Sequence, residues 1–144
     1  MKVESKAFLP NQPIPKKYSY KSDNISPNLK ITDLPPNTKS LALIMDDPDA
    51  PHGTYVHWVT WNIPPDTHEL ADGIVLSKKG LNHYGNLGYD GPCPPPGKSH
   101  RYYFKVYALN TLLELPEGSS KEELEKAMTG HIIKQAELMG TYQQ

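Results

Sequence analysis

Proline constrains the folding of this chain more than any other residue. The 144-residue sequence contains 15 prolines, against about 7 expected from an average usage of roughly 5%. Proline cannot donate to a helix or a sheet ladder, and here it lies between short apolar runs rather than in one tail. This distribution indicates many turns and long structured loops. No internal repeat or linker divides the chain, so its length predicts one domain over residues 1–144.

Short strands dominate the first two thirds of the sequence. The continuous apolar run at 41–45 predicts a strand that is buried on both faces. The runs at 56–63 and 101–109 are rich in aromatic and β-branched residues, which favour strands, and 3–8 and 73–76 are weaker candidates. Strands joined by turn-rich loops predict a mainly β fold, a sandwich or a barrel with antiparallel or mixed sheets.

Helical patterning is confined to the C-terminal part of the chain. Ser120 with Glu123, or the pair one step earlier, forms a capping box, and apolar residues follow at helical spacing. Gly130 is expected to break or kink this helix. We expect 132–138 to form a second helical piece that Gly140 ends.

Charge and cysteine content limit the classes of function. The chain has 15 basic and 16 acidic residues, a net charge of -1, and no basic stripe of the kind that nucleic acids or anionic membranes require. No apolar run approaches the roughly 20 residues that span a bilayer. The charged residues 1–6 do not resemble a signal peptide, and the single Cys93 fits a reducing compartment. We expect a cytoplasmic protein that binds no nucleic acid and does not insert stably into membranes.

Two histidines each begin a predicted strand after a proline-containing loop. Alternate side chains of a strand share a face, so both histidines are expected at the end of a core-facing row. The rows are His57, Val59, Trp61 and Ile63, and His100, Tyr102, Phe104, Val106 and Ala108. Each imidazole could be a structural residue at the rim of the core, or could face a cleft.

The segment before His100, YGNLGYDGPCPPPGKSH, combines glycines with prolines. Such a loop is stiff, and its backbone N–H groups can point towards an anion. A rigid crossover between strands is the alternative interpretation.

With these motifs, the chain resembles the phosphatidylethanolamine-binding protein family, also called Raf-kinase-inhibitor-like, in its compact bacterial and archaeal form. The matching residues are Ser26-Pro27-Asn28-Leu29, Asp47-Pro48-Asp49-Ala50-Pro51, His57-Trp58, Gly85, Gly88-Tyr89, Gly91-Pro92, Gly97, His100-Arg101-Tyr102 and Gly140-Thr141-Tyr142. They follow the family's order over nearly the whole sequence.

The resemblance implies an antiparallel-sheet, β-sandwich-like fold with short helices near the C-terminus and an anion pocket at one end. The implied ligand-binding residues are Asp47, His57 and His100, the backbone of Gly91 and Pro92, Tyr89, and Tyr55 or Trp58 as a wall. Family pockets accept phosphate, phosphoryl headgroups and other small oxyanions. Members are best known as inhibitors of kinases or serine proteases, so we expect a regulator, monomeric or homodimeric, without a catalytic residue, metal or cofactor.

The acidic segment DDPDAP then takes the role of a rigid corner beside the pocket. If Asp47 accepts a hydrogen bond from His57 or His100, it stabilises the charged ring, and the second ring N–H faces the oxyanion. Phosphate affinity should then weaken as pH rises through the histidine range. The corner consists of Pro48, Asp49, Ala50 and Pro51. Asp49 is expected to stabilise the turn, the Ala50–Pro51 peptide is a candidate for the cis form, and Asp46 has no assigned role.

Two alternatives remain open from the sequence. A metal site would use carboxylates and imidazoles, although the prolines restrict convergence and no HExxH or CxxC motif is present. Its ligands would come from Asp46, Asp47, Asp49, His52 and His57. A hydrolase of phosphoryl or carboxylic esters would use the His/Asp pocket, or Cys93 with His100 as a nucleophile pair.

Overall fold

The fold is built from two antiparallel β-sheets and one α-helix. The structure, a computed structural model, describes all residues from Met1 to Gln144. The strands are β1 (Lys2–Glu4), β2 (Leu29–Thr32), β3 (Ser40–Asp47), β4 (Tyr55–Ile63), β5 (Glu69–Leu70), β6 (His100–Leu109) and β7 (Ile132–Tyr142), and the helix is α1 (Lys121–Met128). The larger sheet has the order β4-β3-β6-β7 and the smaller one β1-β2-β5. The predicted mainly β, antiparallel-sheet fold is confirmed.

The centre of the larger sheet is buried on both faces, as the run at 41–45 predicts. Every residue of β3 is buried. Leu41, Leu43 and Met45 face the core between the two sheets, whereas Ala42 and Ile44 face a second core beneath α1. The eight-residue α1 is short, and no helix is long and apolar enough to cross a membrane.

The first histidine row is wrong because β4 contains two irregularities. Asp46 pairs with Val56 and Met45 pairs with Trp58, so His57 is an extra residue in a β-bulge. A second register shift, between the partners of Leu41 and Leu43, follows further along β4. Strict alternation is therefore lost. Val59 and Trp61 pack in the core under α1, whereas Trp58 and Ile63 pack between the sheets. The His100 row does lie along the core between the sheets.

The C-terminal segment contradicts the prediction of a second helical piece. Helix α1 has the predicted capping box of Ser120 with Glu123, and Gly130 follows it with a φ of 83°. Residues 132–138 instead belong to β7, which pairs with β6 along its length. Gly140 does not end an element. It lies within β7, where a Cβ would meet the side chains of Phe8 and Ile14.

The two weak strand candidates had different outcomes. The candidate at 3–8 is a strand only in part, because β1 ends at Glu4. The segment 73–76 is not a strand, and the short β5 precedes it.

Candidate functional site

The ends of three neighbouring strands form a pocket at one edge of the larger sheet. Strand β3 ends at Asp47, β4 begins at Tyr55 and β6 begins at His100. Because these strands are antiparallel neighbours, the three ends meet. A cavity of about 270 Å³ lies there. Its walls are Asp47, Ala50, Pro51, Tyr55, His57, Tyr84, Cys93, Pro94, Pro95, His100 and Tyr102.

Asp47 contacts His100, which answers the question that the sequence left open. Oδ2 of Asp47 lies 2.7 Å from Nδ1 of His100, and both side chains are buried. The second oxygen, Oδ1, accepts the backbone N–H of Asp49 at 2.7 Å. Both carboxylate oxygens are therefore engaged, and the His100 ring is held with Nδ1–H towards Asp47.

His57 has a different partner. Its Nδ1 lies 2.8 Å from the backbone carbonyl oxygen of Asp90, and a carbonyl can only accept, so Nδ1 carries a hydrogen. Burial lowers the pKa of His57, and it outweighs the opposing effects of the Asp90 carbonyl and of the Asp47 and Asp90 charges. His57 is thus held as the neutral ring.

Neither histidine has a protein partner for its second ring nitrogen. His57 is 2% exposed and His100 is 3% exposed, yet their hydrogen bonds involve Nδ1 alone. The only side-chain nitrogen or oxygen that is sealed from solvent without a partner is Nε1 of Trp61. The Nε2 atoms therefore have open space beside them, and the cavity that both rings line provides it.

Aromatic rings surround His57. The rings of Tyr55, Tyr84 and Tyr102 lie edge-on at centroid distances of 5.3, 5.6 and 5.3 Å. Burial raises the pKa of each of these phenols, so the hydroxyls stay protonated and can donate hydrogen bonds. No lysine or arginine lines the cavity.

Seven cavity residues are not among those predicted from the sequence to bind the ligand. Sequence reasoning named Asp47, Tyr55, His57 and His100 for the ligand, and the structure places all four on the cavity. The residues that it did not assign to the ligand are Ala50, Pro51, Tyr84, Cys93, Pro94, Pro95 and Tyr102. Tyr102 could have been found, because it follows His100 on the same strand face. Tyr84 lies in a loop and has no comparable signal.

Four other residues named for the ligand lie outside the cavity lining. The bulge at His57 turns Trp58 into the core between the sheets, where it packs edge-on against Tyr89. Tyr89 donates from its hydroxyl to the Tyr18 carbonyl at 2.8 Å. Gly91 and Pro92 form the supporting loop: the Gly91 N–H donates to the side chain of Asn24, and the Pro92 carbonyl accepts the backbone N–H of Tyr20.

A glycine is required at position 91. A Cβ there would overlap the backbone carbonyl of Tyr18. The Gly91 N–H donates to Oδ1 of Asn24 at 2.7 Å, and its carbonyl accepts the Tyr84 hydroxyl at 3.0 Å. This loop also supplies the Asp90 carbonyl that orients His57, so close packing of the loop fixes the imidazole.

Asp49 holds the corner, but not by the local turn bond that the sequence predicts. Its carboxylate receives Nε and Nη2 of Arg101 at 2.9 and 2.8 Å, and also the Arg101 backbone N–H. These bonds lower the pKa of Asp49 to about 2. The turn bond is made by Asp47, which accepts the N–H of Asp49. The Ala50–Pro51 peptide is trans, so the expected cis form is wrong.

The third aspartate points away from the pocket. The buried carboxylate of Asp46 accepts Nζ of Lys105 at 3.2 Å and Nζ of Lys121 at 3.1 Å. The three carboxylates thus have separate partners: two lysines for Asp46, His100 for Asp47 and Arg101 for Asp49. The lysines and the arginine relieve the mutual repulsion. No group of three or more His, Cys, Asp or Glu side chains lies close enough to hold a metal ion.

The fold and the site define a class of protein: two antiparallel sheets with a histidine and carboxylate pocket where the central strands end. The chain belongs to the phosphatidylethanolamine-binding protein family, whose model matches residues 4–143. It is 50% identical to a UPF0098 protein of Pyrococcus horikoshii, covering 99% of this chain and 76% of the relative. It is 48% identical to a UPF0098 protein of Chlamydia muridarum, covering 100% and 99%.

Two solved structures share the whole fold. A putative phosphatidylethanolamine-binding protein homolog from Chlamydia trachomatis superposes with a TM-score of 0.95 at 47% identity, covering 99% of this chain and 97% of that one. YbcL of E. coli, described as a new member of the mammalian family, gives a TM-score of 0.92 at 30% identity, with coverages of 99% and 98%.

Proposed function

We propose that the protein is a regulator that binds small oxyanions, phosphoryl groups above all, between His57 and His100. The observation that carries this proposal is the pair of Nε2 atoms, which lack protein partners although both residues are almost completely buried. Ring nitrogens that border a cavity and lack a protein partner are expected to meet a ligand or water.

The hydrogen-bond donors on the cavity walls and the cavity volume fit a small anion. Nδ1 of His100 is taken up by the Asp47 carboxylate, so a His100 ring that carries both hydrogens would donate from Nε2 to an anion. The phenol hydroxyls of Tyr55 and Tyr102 supply neutral donors on the same walls, whereas the single O–H of Tyr84 already donates to the Gly91 carbonyl. A volume of about 270 Å³ is below the roughly 300–1,000 Å³ of sites for drug-sized ligands. A phosphoryl group with a short substituent suits this space.

Calorimetric titration with inorganic phosphate tests the proposal. We expect binding by the wild type and at least a tenfold loss in the double variant His57→Ala/His100→Ala, because the donors and acceptor of the pocket are removed. His131→Ala is the matched control, since this exposed histidine hydrogen-bonds Asn110 at the opposite end of β6. Equal affinity of the double variant and the control would refute the site.

Hydrolysis of phosphoryl or carboxylic esters is a second candidate, because Cys93 lines the same cavity as His57 and His100. A thiol beside imidazoles can act as a nucleophile. Release of nitrophenol from p-nitrophenyl phosphate or acetate, lost in Cys93→Ser or His57→Ala, would establish this activity. If neither substrate is hydrolysed at millimolar, saturating concentration, the hydrolase candidate is rejected and the binding function is retained.

We also propose a protein partner, a serine protease or a kinase, and a cytoplasmic location. Family membership is the support for the partner. A panel of purified proteases and kinases assayed with the protein tests it. Inhibition that survives His57→Ala/His100→Ala would place the inhibitory surface outside the pocket, whereas no inhibition across the panel would remove this part of the proposal.

A further inference from the structure

The two pocket histidines differ in the chemistry of their Nδ1 partners. His100 faces the carboxylate of Asp47 at 2.7 Å, and His57 faces the neutral carbonyl of Asp90 at 2.8 Å. Both partners are acceptors, so both rings carry a hydrogen on Nδ1. What Nε2 offers to the cavity then depends on whether each ring binds a second proton.

Only one of the two rings has an anionic partner. A second hydrogen on the His100 ring would be compensated by the Asp47 carboxylate, and Nε2 would then donate. His57 has no carboxylate partner and is 2% exposed, and a second imidazolium in the same small cavity would repel the first. Neutral His57 therefore presents an unprotonated Nε2, which is an acceptor. Burial also lowers its pKa.

The groups around His57 do not change this assignment. Its ring meets three phenols that stay protonated, and no lysine or arginine lines the cavity. Both oxygens of the Asp90 carboxylate already accept bonds, from Asn24 on one side and from Asn82 and Asn86 on the other. The titratable groups facing or flanking the ring are Asp47, Tyr55, His83, Tyr84, Asp90, Cys93, His100 and Tyr102.

We propose that the pocket selects oxyanions that carry a proton, with His100 donating to one ligand oxygen and His57 accepting from a ligand hydroxyl. This inference rests on the proposed anion-binding function. Hydrogen phosphate and the monoanion of a phosphomonoester or phosphonate have the required P–OH group. Sulfate and sulfonates have acceptors alone at neutral pH, so they leave Nε2 of His57 facing an oxygen lone pair. A buried acceptor without a donor reduces affinity by about 10- to 100-fold.

Isosteric ligand pairs test this selectivity. Calorimetric titration at pH 6.5 and constant ionic strength should show methylphosphonate binding at least about tenfold more tightly than methanesulfonate, a ligand of the same shape and charge as the phosphonate monoanion. Phosphate should likewise exceed sulfate, although sulfate carries the larger negative charge. Equal affinities within each pair would overturn the inference while leaving the anion-binding function intact. Binding of none of these ligands would instead defeat the proposed function.

The variant His57→Gln separates selectivity from general binding. A glutamine amide can rotate to donate or to accept, so the preference for the phosphonate should fall to about threefold or less, mainly through a gain for methanesulfonate. The control His131→Gln should keep the wild-type ratio. A His57→Gln protein that keeps the full preference would contradict the assignment.

Ring nitrogen NMR provides a test that does not depend on a variant. In the ¹⁵N-labelled wild-type protein without ligand at pH 6.5, long-range ¹H–¹⁵N spectra should show a protonated Nδ1 and an unprotonated Nε2 for His57. A doubly protonated His57 ring under these conditions would overturn the proposal, whatever the ligand affinities.

Discussion

Nδ1 of His100 donates to Oδ2 of Asp47 at 2.7 Å, and both side chains are almost completely buried. The bond joins the last residue of β3 to the first residue of β6. The next contact of the same kind, Asp49 with Arg101, joins the corner to the following residue of β6. Two carboxylates spaced by two residues thus hold the side chains of two consecutive residues, His100 and Arg101, which sets the geometry of the pocket wall.

Replacing Asp47 by asparagine should weaken phosphate binding by about tenfold, equal to about 1.4 kcal/mol. The amide keeps the shape and can still accept, but it no longer provides the charge that stabilises a protonated His100 ring. Calorimetric titration at pH 6.5 measures the change. The control Asp66→Asn alters an exposed carboxylate in the loop after β4 and should bind as the wild type does. Full affinity in Asp47→Asn would show that the carboxylate charge does not support the pocket.

The ion pair of Asp49 with Arg101 should contribute stability in a defined acid range. Hydrogen bonds from Arg101 lower the pKa of Asp49 from 3.8 to about 2. Because the folded-state pKa is below the unfolded one, the contribution is present above about pH 4 and is lost as pH falls towards 2. In Asp49→Asn, the melting temperature should therefore fall less between pH 5 and pH 2 than in the wild type.

Salt provides the control for this prediction. Arg101 is about half exposed, so solvent screens the pair and the stabilisation is small. The difference in melting temperature between the wild type and Asp49→Asn at pH 5 should be smaller in 1 M NaCl than at low salt. Parallel melting curves for the wild type and Asp49→Asn from pH 5 to pH 2 would contradict the role of the pair.

Cys93 should report occupancy of the pocket. Its side chain lines the cavity together with both histidines, and it is the single cysteine of the chain. Saturating phosphate should slow its alkylation by N-ethylmaleimide at least about threefold, as followed by intact mass, and the alkylated protein should no longer bind phosphate. Cys93→Ser, which keeps the size of the side chain, should still bind phosphate. An alkylation rate that phosphate does not change would place the anion elsewhere.

Strands could be predicted from the sequence where burial requires apolar residues. They could not be predicted where backbone pairing with a neighbouring strand determines the structure. Strands β3 and β6 have apolar or aromatic residues because they are covered on one or both faces. In contrast, β7 is largely exposed over residues 132–135, and its Lys, Gln, Ala and Glu are good helix formers. Its backbone pairing with β6 overrides that local preference, and nothing in the segment itself signals the partner.

The site could be predicted from its motifs but not from its geometry. Asp47, His57 and His100 stand in recognisable motifs, and they do line one cavity. The bulge at His57 depends on the register between β3 and β4, which sequence periodicity does not specify. Tyr84 is held beside the pocket by two bonds that it donates, from its backbone N–H to Oδ1 of Asn82 and from its hydroxyl to the Gly91 carbonyl. Trp58 and Tyr89 stand in the same motifs as the pocket residues, yet they pack against the core between the sheets.

Asn24 clamps the loop that orients His57, although it lies more than 30 residues before it in the sequence. Its amide donates to Oδ1 of Asp90 at 2.8 Å, and its carbonyl oxygen accepts the N–H of Gly91 at 2.7 Å. Asn24 also has a φ of 55°, a left-handed conformation that glycine adopts without strain. Asn24→Gly therefore removes the two side-chain bonds and keeps the backbone conformation accessible.

We expect Asn24→Gly to lower the free energy of unfolding by about 1–3 kcal/mol, because the buried Asp90 and Gly91 each lose a partner. Phosphate affinity should also fall several-fold, since the Asp90 carbonyl no longer holds the His57 ring firmly. Asn11→Gly is the matched control: Asn11 is exposed, has a φ of 67° and makes no side-chain hydrogen bond. Urea denaturation and phosphate calorimetry on both variants provide the comparison. Equal unfolding free energies for the two variants would show that the Asn24 side chain does not fix the loop.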